Sequence, residues 1–122
     1  MRFLLFAFCL LLNFECLAAR WSEPEYVGTK TDPDLEEMSG LTPSLTHKDV
    51  LWVINDSGNG EKLIAMRTDA SRAATFELKG VKNIDWEDLG SFSLNKKNYL
   101  LIADTGDNGG IRKTLQIHVF EE

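Results

Sequence analysis

Apolar residues fall in short runs, and polar turn formers separate them. Val50 to Asn55 reads VLWVIN and closes on DSGNG. Lys62 to Met66 reads KLIAM and leads into TDASR, and Ala74 to Leu78 reads ATFEL ahead of Gly80. Further on, Asn98 to Ala103 reads NYLLIA. From Thr114 to Phe120, Leu115, Ile117 and Val119 alternate with Gln116, His118 and Phe120. Short runs of β-formers bounded by turn residues predict an all-β fold, and no window carries a convincing 3.6-residue period. LWVI and YLLI are apolar at successive positions, so both faces of these strands are expected to be covered. Residues 20–37 are polar. Pro24 and Pro33 argue against a long helix there, while Tyr26 and Val27 suit a short strand.

The pattern also repeats. Placed above one another without a gap, Met38–Gly60 and Trp86–Asn108 share Leu41 and Leu89, Lys48 and Lys96, Ile54 and Ile102, Asp56 and Asp104, and Gly58 and Gly106. Every pair is offset by 48 positions, as from 41 to 89. Strand, turn and acidic loop recur in the same order. A period of this length is typical of propellers and solenoids. A propeller blade has four short strands, and SGLTPS, LWVI, KLIAM and ATFEL supply four. The expected fold is a partial β-propeller, with one four-stranded blade over 36–80 and most of a second over 81–122. A sandwich with two similar hairpins is the competing arrangement. Closed propellers need about four to eight blades, so the expected partners are the remaining blades of a longer chain, or copies of this one.

The first residues carry a different signal. Arg2 precedes an apolar run from Phe3 to Leu12, and CLAA (Cys16 to Ala19) offers small residues for cleavage after Ala18. This is the layout of a secretory signal peptide, 1–18, followed by an N-terminal extension over 19–35. The run is too short to span a bilayer, so no membrane span is expected after cleavage. The protein is expected to be secreted or periplasmic. Both cysteines, Cys9 and Cys16, lie in that segment, so the mature chain must be stabilised without disulfides. Loss of Arg2 and Glu15 leaves the net charge at −6. An acidic chain without a basic cluster is a poor ligand for nucleic acid.

The acidic residues are concentrated in NIDWEDLG (Asn83 to Gly90) and DTGDNGG (Asp104 to Gly110). Asp85, Glu87 and Asp88 form one group, and Asp104, Asp107 and Asn108 another. Calcium takes six to eight oxygen ligands from carboxylates, amides and backbone carbonyls. If neighbouring strands bring the two loops together, their carboxylates repel unless a cation joins them. Calcium or another divalent cation is therefore the expected cofactor, with these six residues as its ligands. An EF-hand is excluded, since the twelfth position from Asp104 is Leu115. The bland alternative is Asx-turn chemistry, which suits NDSGNG (Asn55 to Gly60) best. Arg112 is read as an ion-pair partner of an aspartate or an anion ligand, Trp86 as a packing residue under the loop in preference to the lining of a sugar-sized pocket, and His118 as a surface residue.

EMSGL, LWVINDSGN, DWEDLG and YLLIADTGDN with Arg112 after it resemble the opening of a secreted bacterial β-propeller group. That group is related to phytase-like, gluconolactonase and strictosidine-synthase-like propellers, and the resemblance spans residues 36–122. It implies cation sites at strand-end loops. The expected function is an exported propeller module for binding or scaffolding, with structural cation sites and an unidentified small molecule or protein as ligand. The alternative is a metal-assisted hydrolase of phosphoesters or lactones. No zinc-protease, phosphate-loop or nucleophile-elbow motif supports a particular enzyme.

Overall fold

The computed structural model describes residues 21–122. The signal-peptide reading and its cleavage site after Ala18 lie outside them. None of the described helices is long and apolar enough to cross a membrane.

The described residues are all-β apart from one 3-10 turn, Pro33–Leu35. Four strands form the first sheet: β1 (Met38–Pro43), β2 (Val50–Asn55), β3 (Lys62–Arg67) and β4 (Arg72–Glu77). They pair antiparallel in sequential order. The second sheet is β5 (Trp86–Leu94), β6 (Lys97–Asp104) and β7 (Gln116–Glu121), also sequential and antiparallel. Tyr26 and Val27 form no strand and are exposed. Among the described residues, no strand pairs with either. Asn95 and Lys96 close the β5–β6 hairpin with φ of 52° and 64°. Two successive left-handed residues are what a two-residue type I′ turn requires.

The sheets stack face to face through β1 and β5. Gly40 makes this approach possible. A Cβ at Gly40 would lie 2.6 Å from the Leu89 nitrogen and 2.9 Å from the Asp88 carbonyl carbon, so any larger residue would force the sheets apart. Thr42 and Ser91 meet across the same seam, their hydroxyl oxygens 3.0 Å apart. The core between the sheets holds Trp52, Ile54, Leu63 and Ala65 from the first, and Trp86, Leu89, Leu100 and Ile102 from the second. A second cluster lies on the opposite face of the first sheet, where Leu35 covers Val53, Ile64 and Met66. LWVI is thus covered on both faces, Leu51 by packing against that second cluster. On YLLI, Tyr99 and Leu101 are only partly buried and belong to neither cluster.

Strand register gives the relation between the sheets. Gly40 pairs with Ile54 in the first sheet, and Asp88 pairs with Ala103 in the second; each pair follows a bulge at the start of the strand. The step from 40 to 88 is 48, but the step from 54 to 103 is 49. The gapless alignment of the two segments is therefore one residue out along β6. Val53, not Ile54, is the counterpart of Ile102. A one-residue shift moves every side chain to the other face, and here it reconciles the burial. Val53 faces away from the second sheet and Ile102 faces the first, so both point the same way along the stack. The arrangement is front-to-back, as in a repeat, rather than two faces related by a two-fold axis.

The same register reverses the alternation expected for the last strand. Ile102 pairs with His118 and Leu100 with Phe120, so His118 and Phe120 turn inward, while Ile117 (54% exposed) and Val119 (52% exposed) face outward. The surface position expected for His118 is corrected: it is half-buried, beside Trp86 and Asp104.

At the opposite end of the seam Glu122 joins the sheets. It accepts a hydrogen bond from Trp52 Nε1 at 2.7 Å, one from the Leu45 N–H at 3.1 Å and one from the Ser44 hydroxyl. Burial pushes its carboxyl up, but these donors outweigh burial and hold it below the ordinary glutamate value.

Candidate metal centre

Asp56 opens the β2–β3 loop, Asp85 immediately precedes β5, and Glu87 stands on β5. Each offers a carboxylate oxygen within 4.8 Å of the other two. The cluster spans the seam, with one residue from the first sheet and two from the second.

Asn83 brings the segments together. Its amide nitrogen donates to the carbonyls of Asn55 (3.1 Å) and Asp56 (2.9 Å), and its side-chain oxygen accepts from the Trp86 N–H at 3.2 Å. One amide therefore ties the end of β2 to the start of β5. Trp86 is fully buried, and its indole N–H donates to the Lys82 carbonyl at 3.1 Å. It forms part of the core under the cluster.

Of the six residues expected as metal ligands, Asp85 and Glu87 lie in the cluster. Asp104 is fully buried at the end of β6 and accepts from the Asp85 N–H at 3.0 Å. Its other oxygen is 3.4 Å from the Ile84 nitrogen. Arg112 Nη1 pairs with it at 2.7 Å and also donates to the Gly106 carbonyl at 2.8 Å. Asp107 accepts from the N–H groups of Ile111 (2.9 Å) and Arg112 (3.1 Å), capping its own loop. Asp88 accepts from the Leu89 N–H at 2.8 Å. Asn108 is exposed. Asp104 and Asp107 are thus engaged with Arg112 and with backbone, and Arg112 is an ion-pair partner.

Asp56 is the member that the sequence did not reveal. Its loop reads as plain turn chemistry, and it does cap the Ser57 N–H at 2.5 Å. What places it against Asp85 is the stacking of the two sheets, which no local motif encodes.

Asp85 is nine-tenths buried, at 8% exposure, and its Oδ1 has no hydrogen-bond partner among the described residues. Burial pushes its carboxyl above the ordinary aspartate value; Asp56 pushes it further, while Arg112 pulls it down. Gly106 closes the space on one side and donates its N–H to the Asp85 carbonyl at 3.0 Å. A Cβ at Gly106 would collide with the carboxylates of both Asp85 and Glu87. Glycine thus leaves free the room between them.

No protein-family model, curated protein or solved structure matches the chain.

Proposed function

We propose that the chain is a structural module of an exported β-propeller, serving binding or scaffolding by stacking against further sheets of its own kind. One observation carries this reading. The outward face of β5–β7 is the register equivalent of the face that β1–β4 buries. Leu63 and Ala65 on β3 are buried, and the pairings of β3 with β2 and of β7 with β6 make Ile117 and Val119 their counterparts. Those two are half-exposed, and Leu101, which pairs with Val119 from the neighbouring β6, is partly exposed beside them.

The free edge of β7 supports the same reading. The first sheet has a fourth strand, β4, and no described strand occupies the corresponding place beside β7. An apolar groove of about 390 Å³ opens there, lined by Trp52, Leu63, Phe76, Leu100 and Phe120 among others. Among the described residues, an unpaired strand edge and an uncovered sheet face suit a module that packs against further blades or copies of itself.

The expected solution behaviour follows from the exposed face. An apolar sheet face drives association, so the isolated chain should self-associate in a concentration-dependent way. Ile117→Lys combined with Val119→Lys should shift it toward monomer in sedimentation velocity. At exposed positions these changes should alter folding stability by only about 0.5 kcal/mol each. A wild-type chain that stays monomeric at high concentration, with a sharp unfolding transition, would contradict the module reading and favour a self-contained β-domain.

A further inference from the structure

We infer that Asp56, Asp85 and Glu87 bind a hard, oxygen-liganded divalent cation of the calcium class, which clamps the first sheet to the second. Three carboxylates whose oxygens lie within 4.8 Å carry concentrated negative charge. Arg112 is the nearby cation; its Nη1 is committed to Asp104 and to the Gly106 carbonyl, its Nη2 has no hydrogen-bond partner among the described residues, and its single charge offsets only part of the three carboxylates. The second observation is independent of the count of acids. Asp85 is nine-tenths buried with Oδ1 lacking any hydrogen-bond partner among the described residues. A buried carboxylate oxygen without a donor is costly, and native structures supply it with a proton donor, water or an ion. The Gly106 cradle is the third element, because a side chain there would fill the space between Asp85 and Glu87.

The chemistry of the donors selects the ion. Among the described residues, the group contains only carboxylates, with no thiolate or imidazole, which favours calcium, magnesium or manganese over zinc or copper. The ligands come from a loop, a strand approach and a strand, and Glu87 is exposed while Asp56 is half-buried. Such an open, irregular set suits calcium, whose coordination is flexible, with water completing the shell. The ion would join the end of β2 to the start of β5, reinforcing what Asn83 does with hydrogen bonds.

The ligand set differs from the two-loop arrangement of Asp85, Glu87, Asp88, Asp104, Asp107 and Asn108, and the experiment separates them. The chain is stripped with chelator, and binding of calcium, magnesium and manganese is measured by equilibrium dialysis with elemental analysis per chain, whatever its association state. One calcium per chain is expected. Asp56→Asn and Glu87→Gln should each weaken binding at least about tenfold, and Asp107→Asn should leave it unchanged. Glu87 is exposed and Asp56 only partly buried, and both substitutions are nearly isosteric, so they are compatible with folding, which near-ultraviolet circular dichroism of the tryptophans verifies. Melting gives a second sign. Without metal, the Asp56→Asn/Glu87→Gln double variant should melt above wild type, because repulsion is relieved. With calcium it should melt below, because only wild type gains from the ion. The inference is overturned if none of the three metals binds, if the double variant binds as wild type does, or if Asp107→Asn abolishes binding.

Discussion

Asp104→Ala is expected to lower the unfolding free energy by about 3–5 kcal/mol, the usual cost of removing one partner from a buried ion pair. Asp104 is fully buried, and the Arg112 side chain is only 11% exposed. Truncation strands the guanidinium and removes the acceptor for the Asp85 N–H. Asp104→Asn should cost less, since an amide oxygen can still accept, and Asp104→Ala combined with Arg112→Met should recover much of the loss. Denaturant unfolding measures all three. If wild type associates, the series belongs in the Ile117→Lys/Val119→Lys background. A loss near zero for Asp104→Ala would mean that the pair is open to water rather than buried at the end of β6.

Trp86→Ala is the second large effect, expected at about 3–5 kcal/mol, as for other large-to-alanine changes in cores. The side chain is fully buried and packs into the core between the sheets. Its indole N–H also satisfies the Lys82 carbonyl, so truncation leaves both a cavity and an unpaired acceptor. Trp86→Phe should cost less, because it keeps most of the volume and loses the N–H. Thermal unfolding, followed by fluorescence of the remaining tryptophans, separates the two. If Trp86→Ala unfolds like wild type, Trp86 contributes little to the core between the sheets.

Local patterns made the strands legible. VLWVIN, KLIAM, NYLLIA and the alternating Thr114–Phe120 each coincide with a strand, displaced by a residue or two at the ends. The acidic stretch from Trp86 onward reads as a loop and is instead the beginning of β5. Its charges are tolerated there because Glu87 and Asp88 are exposed, while Trp86 and Leu89 are buried. The facing of the strands was less legible. A gapless alignment matches Ile54 to Ile102, whereas hairpin register matches Val53 to Ile102. The cause lies in the turns: β5 and β6 are joined through Asn95 and Lys96 alone, while β1 and β2 are joined through Ser44 to Asp49. Identity at a fixed offset cannot detect this compensating change.

The site was legible in part for a similar reason. Asp85 and Glu87 stand in an acidic motif that draws attention by itself. Asp56 is distant in sequence and resembles any turn aspartate, and only the stacking brings it to them. His118 was misplaced because alternation along β7 assigns two faces but not which of them is inside. The inward face is chosen by the core and by Asp104, which lies 3.8 Å from His118 Nε2.

The front-to-back stacking underlies both the proposed module and the cation clamp, and a designed disulfide tests it directly. In a background carrying Cys9→Ser and Cys16→Ser, Thr42→Cys and Ser91→Cys place two thiols where hydroxyl oxygens now lie 3.0 Å apart. That separation is within reach of an S–S bond after a small side-chain adjustment. Leu41→Cys with Gly90→Cys is the control, because adjacent positions on a strand point to opposite faces and both thiols then face away from the seam. Under mild oxidation the 42–91 pair is predicted to close within one chain, with loss of both free thiols and no change in mass beyond two hydrogens. The 41–90 pair is predicted to remain reduced or to link separate chains. Closure of 41–90 within one chain, with 42–91 left reduced, would contradict the stacking.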